Sequence, residues 1–211
     1  MMSKHLIQGV LSRRFTQKAI SLKRTPHDYP RVTGSEHWKR KIRTFFRAND
    51  VDSDRYLTKH DFEMTAHRIA DYMKFNDKMT KEIIKIRLNA WKAIVQEEND
   101  AENSKLSEDV YLSNLLAVVN TDFREAIVGF LSVDFDSLDL DGDGFISPKE
   151  HEAFFSGFGI PIKHSAETFK MFDTDGDGLI TREEFIQGVV EFTFSEDENS
   201  PYNCLFGPLI D

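Results

Sequence analysis

Two stretches of twelve residues constrain this chain more than anything else in it. Residues 139–150 read DLDGDGFISPKE and residues 173–184 read DTDGDGLITREE. Each sets Asp at places one, three and five, Gly at six, a hydroxyl at nine and Glu at twelve. Such a comb gathers enough oxygens around one point to hold a calcium ion, a hard cation that takes six to eight of them. In the first stretch Asp139, Asp141 and Asp143 offer carboxylates and Phe145 its backbone carbonyl. Ser147 marks the place of a bridging water, and Glu150 closes the shell with two oxygens. The second repeats the set with Asp173, Asp175, Asp177, the Leu179 carbonyl, Thr181 and Glu184. Gly144 and Gly178 stand where the backbone must turn with a positive φ.

This is the EF-hand calcium loop, and each copy demands a helix on either side. Ser147 before Pro148 is an N-cap followed by an N1 proline, and Thr181 with Glu184 is a capping box. Gly157, Gly159 and Pro161 end the helix that starts at Pro148. A separation of 34 residues suits adjacent hands forming one pair. Ile146 and Ile180, at place eight, are then expected to exchange a short two-stranded bridge.

Hands come in pairs, so the first half of the chain should hold another two. Residues 50–61 read DVDSDRYLTKHD, with ligands at Asp50, Asp52, Asp54, the Tyr56 carbonyl, Thr58 and Asp61. Arg55 occupies the turn place, at a cost of about 1–2 kcal/mol relative to Gly. Asp61, one methylene shorter than Glu, reaches the ion with a single oxygen. These changes predict a weaker third site that tolerates magnesium, which prefers six oxygens at shorter distance. Its partner, residues 99–110, reads NDAENSKLSEDV. With Asn99, Ala101 and Val110 at places one, three and twelve, it is expected to serve packing and not metal.

Helical periodicity fills the space between the loops. Trp38, Ile42 and Phe45/Phe46 form one stripe, and Phe62, Ala66, Ile69 and Met73 a second. Ile84, Leu88, Trp91 and Val95 form a third, residues 110–119 a fourth, and Phe123, Ile127, Phe130/Leu131 and Phe135 a fifth. The fold class is therefore all-α: four helix–loop–helix motifs in two packed pairs. Residues 1–35 read as a basic extension and linker, disordered or targeting. Residues 36–120 read as the N-terminal pair, and 121–211 as the C-terminal pair with a short packed tail.

Charge narrows the function. Residues 1–27 carry six basic residues and no acid; of 27 basic residues in all, 21 then remain against 36 acidic ones, a balance of −15. An acidic body repels nucleic acid and suits the collection of cations. No apolar run approaches the ~20 residues of a membrane span. Cys204 is the one cysteine, so no intramolecular disulfide forms, as befits a reducing compartment. No HExxH, GxSxG or GxxxxGK motif points to an enzyme. His60, His67 and His151 are scattered and read as solvated positions near helix ends.

The segment HWKRKIRTFFRANDVDSDRYLTKHDFE resembles the first hand of the invertebrate sarcoplasmic calcium-binding proteins, where a twelfth-place Asp followed by Phe is common. The ending LFGPLID is similar to their tail, in which Phe or Trp precedes Gly-Pro-Leu. The likeness covers about residues 36–211; calexcitins, coelenterazine-binding proteins and photoproteins are cousins with the same four-hand plan. Arg55, Asn49 just before the loop, and the first 35 residues depart from the pattern. What the resemblance implies is a compact globule of about eight helices whose two hand pairs pack on each other.

The expected function is an intracellular calcium buffer with magnesium as competitor. Two alternatives stand beside it: a sensor that grips a target protein, and a carrier of a small hydrophobic ligand such as the coelenterazine-binding cousins. A sensor groove is usually rich in Met. Here, outside the initiator pair, only Met64, Met73, Met79 and Met171 occur against 18 Phe, which favours a closed core. The expected location is cytoplasmic; residues 1–27, with RRFT at 13–16, offer a mitochondrial alternative.

Overall fold

A computed structural model describes residues 20–95, 101–122 and 124–210. Eight α-helices occur among them. They are α1 (Glu36–Asn49), α2 (Lys59–Met73), α3 (Asp77–Val95), α4 (Glu108–Val119), α5 (Ala126–Leu138), α6 (Pro148–Gly157), α7 (Ser165–Phe172) and α8 (Arg182–Phe194). The strands are two residues each: β1 (Tyr56–Leu57), β2 (Leu106–Ser107), β3 (Phe145–Ile146) and β4 (Ile180–Thr181). β1 pairs antiparallel with β2, and β3 with β4, where Ile146 faces Ile180 as place eight requires. Four hands in two pairs result, α1–α4 and α5–α8.

Local chemistry sets the boundaries. Ser35 caps α1 by accepting the Trp38 amide at 3.2 Å. Ser147 and Thr181 cap α6 and α8, with Glu150 and Glu184 reaching back to close capping boxes. The predicted stripe of α1 is buried at Trp38, Ile42 and Phe46. In α3 the buried line is Ile83, Arg87 and Trp91, a step away from the expected Ile84, Leu88 and Val95, which pack at its flanks. A periodicity reading counts Arg as polar. Here its guanidinium lies between the rings of Phe62 and Phe158, at 4.9 and 4.8 Å from their centroids, a cation–π setting that a hydrophobicity scale does not see. Residue 123 and the side chain of Phe130, both in the fifth predicted stripe, lie outside the described residues.

The largest core cluster runs through both pairs, from Trp38 and Ile42 of α1 to Phe135, Phe155, Val190 and Phe194. α2 packs on both α3 and α6. Residues 20–35, expected within a loose extension, instead form a strap. Ile20 and Leu22 rest on the core, Tyr29 and Val32 are buried, and Arg24 stacks 3.7 Å from the centre of the Tyr29 ring. The targeting expectation falls mainly on residues 1–19, which lie outside the described residues. Tail residues Leu205 and Phe206 are also buried; Phe206 meets Phe45 at 4.5 Å and Phe192 at 5.1 Å between ring centroids. Among the described residues no helix is long and apolar enough to cross a membrane.

Candidate metal centres

Each loop turns its acids inward by giving them backbone amides to hold. In the loop after α5, Asp139 accepts the amides of Gly142 at 2.8 Å and Gly144 at 3.0 Å. Asp143 accepts the Phe145 amide at 2.9 Å. Glu150 spreads its two oxygens: Oε1 accepts the Leu140 amide at 2.7 Å, and Oε2 the Ser147 amide and hydroxyl at 2.8 and 2.7 Å. The loop after α7 repeats this. Asp173 accepts Gly176 and Gly178, Asp177 accepts Leu179, and Glu184 accepts Thr174 through Oε1 and Thr181 through Oε2.

Ligand oxygens of Asp139, Asp141 and Glu150 lie within 4.8 Å of one another, and so do those of Asp173, Asp175 and Glu184. Ca–O distances of about 2.3–2.6 Å place two oxygens of one shell at most about 5 Å apart. The donor sets therefore fit a calcium ion. Hard, charged oxygens on a preformed loop would supply the shell, with Phe145 and Leu179 adding carbonyls from the strand bridge. Burial pushes the Asp139 carboxyl up, and the charges of Glu150 and Asp143 add to the rise, while the Gly144 and Gly142 amides oppose it. A divalent cation relieves that like-charge crowding. At Glu184 partial burial pushes the carboxyl up, but bonds from Thr181 and Thr174 outweigh it and the net shift is downward.

The first loop keeps the comb and changes its closure. Its convergent group is Asp50, Asp52 and Asp54, again within 4.8 Å; Asp61 stands outside it. Asp61 nevertheless takes the same backbone partners as the glutamates, the Val51 amide at 2.9 Å and Thr58 at 2.8 Å. Two non-glycine residues carry the turn: Arg55 at φ 73° and Ser53 at φ 62°. The corresponding places in the other loops hold Gly144 and Gly178 (φ 93° and 87°) and Gly142 and Gly176 (φ 77° and 75°). The turn at Arg55 is legible in the sequence from its place in the loop, whereas that at Ser53, place four, shows only in the backbone. Burial raises the Asp50 carboxyl, with Asp61 and Asp54 adding to it and the amides of Arg55 and Asp54 opposing.

Loop 99–110 takes protein partners instead. The Ala101 carbonyl accepts the Trp91 indole at 2.7 Å, and Lys59 from the first hand meets Glu102 at 2.5 Å. Val110, where the clamp would stand, is exposed. Asn99, its first place, lies outside the described residues. His60 and His67 are exposed as expected, whereas His151 is buried among Phe154, Phe155, Phe169 and Phe172, its Nδ1 2.7 Å from Ser165 Oγ. Burial lowers its pKa to about 3, so it is neutral.

Comparison with known proteins agrees with this geometry. Residues 131–190 match the family model described as an EF-hand domain pair. The chain is 28% identical over 189 residues to the luciferin-binding protein of Renilla reniformis, covering 86% of this chain and all of that protein. It is 29% identical over 177 residues to the sarcoplasmic calcium-binding protein of Perinereis vancaurica tetradentata, covering 83% of this chain and all of that one. The calcium-loaded apo form of the coelenterazine-binding protein from Renilla muelleri superposes with a TM-score of 0.74 at 23% identity, over 83% of this chain and 99% of that one. These relatives are named for binding ions or ligands and not for a reaction. Residues 131–190 thus carry an EF-hand pair, and the chain over most of its length is similar to sarcoplasmic calcium-binding and coelenterazine-binding proteins.

Proposed function

We propose that the protein is a cytoplasmic calcium buffer of sarcoplasmic type, with two calcium loops at 139–150 and 173–184 and a third, weaker loop at 50–61 that also takes magnesium. The observation that carries this reading is the difference in convergent groups. Two loops bring the twelfth-place Glu150 or Glu184 into the cluster, whereas in the third the cluster is Asp50, Asp52 and Asp54 on a turn that places Arg55 and Ser53 at positive φ, where the other loops have glycine. A buffer needs capacity without a large opening. Trp38, Phe46, Phe135, Phe155 and Phe194, all fully buried, favour a fixed interior over a Met-lined groove. Calcium titration calorimetry in the presence of magnesium tests the proposal. Two tight ions and one displaceable by magnesium are expected; two ions alone would remove the third site.

A second reading, a carrier of a small hydrophobic ligand, draws on one structural observation. Arg87 is 5% exposed and its Nε has no hydrogen-bond partner. Burial lowers its pKa to about 10, opposed by Asp134, while burial raises the Asp134 carboxyl to about 6 against the pull of Arg87. Unsatisfied polar groups in an aromatic interior are what a mostly apolar ligand with a polar edge would complete. Titration with coelenterazine, the ligand named for the Renilla muelleri relative, separates the readings. One molecule retained per chain through gel filtration supports a carrier; no retention leaves the buffer.

A further inference from the structure

Within each pair the loops are joined directly, by β1–β2 and by β3–β4. The strand bridges of the described residues do not cross between the pairs. Among the contacts that do cross is a buried hydrogen-bonded splice between the first helix and the last. The Trp38 indole donates to the Thr193 carbonyl at 2.8 Å. The Lys41 ammonium, fully buried, donates to the Phe192 carbonyl at 2.8 Å and the Ser195 carbonyl at 2.6 Å. These are carbonyls at the C-terminal end of α8, which the helix itself leaves unpaired. Charge-assisted bonds in a low-dielectric interior are stiff, and breaking them strands a buried charge.

Each partner of this splice runs straight to a metal loop at its far end. α8 begins with Glu184 at its third position, so an ion held by the Glu184 carboxylate would fix the helix start. α1 ends at Asn49 and hands its chain to Asp50, the first ligand of the first loop. Two rods of about 20 Å each are thus joined at the ends remote from their ions. We infer that the loop at 173–184 and the loop at 50–61 are energetically coupled through Trp38 and Lys41, so that filling the former raises ion affinity at the latter. The inference rests on the reading of 50–61 as an ion site. Coupling of this kind is reciprocal: an ion in the first loop tightens the fourth by the same factor. Trp38 and Lys41 are positioning residues here and touch no ion.

Tyr56 supplies a signal for the first loop, read as the part of the tyrosine-excited luminescence lost in Tyr56→Phe, since Tyr202 lies close enough to Glu184 to feel its charge. It stands at place seven of the first loop, whose carbonyl would meet the ion, whereas the other two loops have Phe145 and Leu179 there. Terbium, a calcium-like cation, luminesces when a bound ion receives energy from a neighbouring Tyr. The test follows this Tyr56-dependent part of the terbium luminescence in the full chain. Glu184→Gln is expected to move the midpoint at least about fivefold to higher terbium, within the usual range of coupling factors. In a Trp38→Phe background, which keeps the ring and deletes the donor, Glu184→Gln is expected to move it by less than about twofold. Lys41→Met repeats the cycle if its helical circular dichroism matches the parent. A midpoint that ignores Glu184→Gln overturns the coupling alone. An equal shift in the Trp38→Phe background overturns the splice as its route. Absence of any Tyr56-dependent signal at millimolar terbium sinks the third site, and the coupling with it.

Discussion

Gly157, the last residue of α6, lies so close to Ile69 of α2 that a Cβ on it would stand 2.6 Å from Ile69 Cγ1. Thr65 Cγ2 would be 3.2 Å away. Ile69 is buried and β-branched, so its Cγ1 cannot swing aside. Here the first hand meets the third, over a layer of Ala66, Ile69, Ala70 and Ala153. Gly157→Ala is expected to cost about 1–3 kcal/mol, outweighing the gain in helix propensity. Chemical denaturation checks this. Combining it with Ile69→Ala, which vacates the contact, should cost less than the sum of the two single changes.

Glu196 holds the strap to the end of α8. Its carboxylate accepts the Thr33 amide at 2.8 Å and the Ser35 amide at 2.7 Å. Partial burial pushes it up, but the bonds from Thr33 and Ser35 outweigh that and hold its pKa at about 2, against an ordinary 4.5. A carboxylate lowered on folding adds stability that is complete above the unfolded value and drains away as pH falls from about 4.5 towards 2. Glu196→Gln should therefore destabilise at pH 7 by about 1–3 kcal/mol. Denaturation midpoints of variant and parent should converge as the buffer approaches pH 2. A gap that stays constant with pH would assign the loss to shape and not to charge.

Arg55 and Ser53 both sit at positive φ without being glycine. Releasing about 1–2 kcal/mol of strain at Arg55 corresponds to a five- to thirtyfold gain. Arg55→Gly should tighten the first loop by that factor and leave the loop at 139–150 unchanged, the loop at 173–184 changing only through its coupling to a filled first loop. Ser53→Gly should add a smaller gain. Calorimetric titration resolves this, and equal weak binding by parent and variant would count against strain as the limit on this loop.

Replacing a clamp tests the two complete loops. Glu150→Gln or Glu184→Gln keeps the hydrogen-bonding shape but removes the charge and one ionic oxygen. Each should weaken its own loop at least about a hundredfold, on the order of 3 kcal/mol. Equilibrium dialysis should then show one fewer calcium per chain at micromolar free ion. Unchanged stoichiometry in both variants would refute the ligand assignment.

The metal loops were legible because their chemistry is local: twelve residues contain the donors, the turn and the cap. The helices of the first hand were legible for the same reason, as Trp38, Ile42 and Phe46 show. What escaped was chemistry whose partner lies far along the chain. Lys41 and Arg87 look like surface residues until the Phe192 carbonyl or the Phe158 ring is supplied. His151 looked solvated, because the phenylalanines around it come partly from α7 and Ser165 is fourteen residues away. Tyr29 looked like part of a linker, yet its hydroxyl donates to Glu191 across 162 positions. A sequence window cannot contain both ends of such a bond.

The tail closes over the first helix. Arg40 donates to the Ile210 carbonyl at 2.9 Å, and the Ile210 amide to Thr44 Oγ1 at 3.1 Å. On the ribosome this ordering has a temporal meaning. α1 emerges early, but the carbonyls that receive Trp38 follow 155 residues later. At about 5–20 residues per second, the nascent chain carries an unsealed aromatic face for roughly 8–30 seconds. Until Thr193 has emerged, the first hand pair keeps that face without its cover.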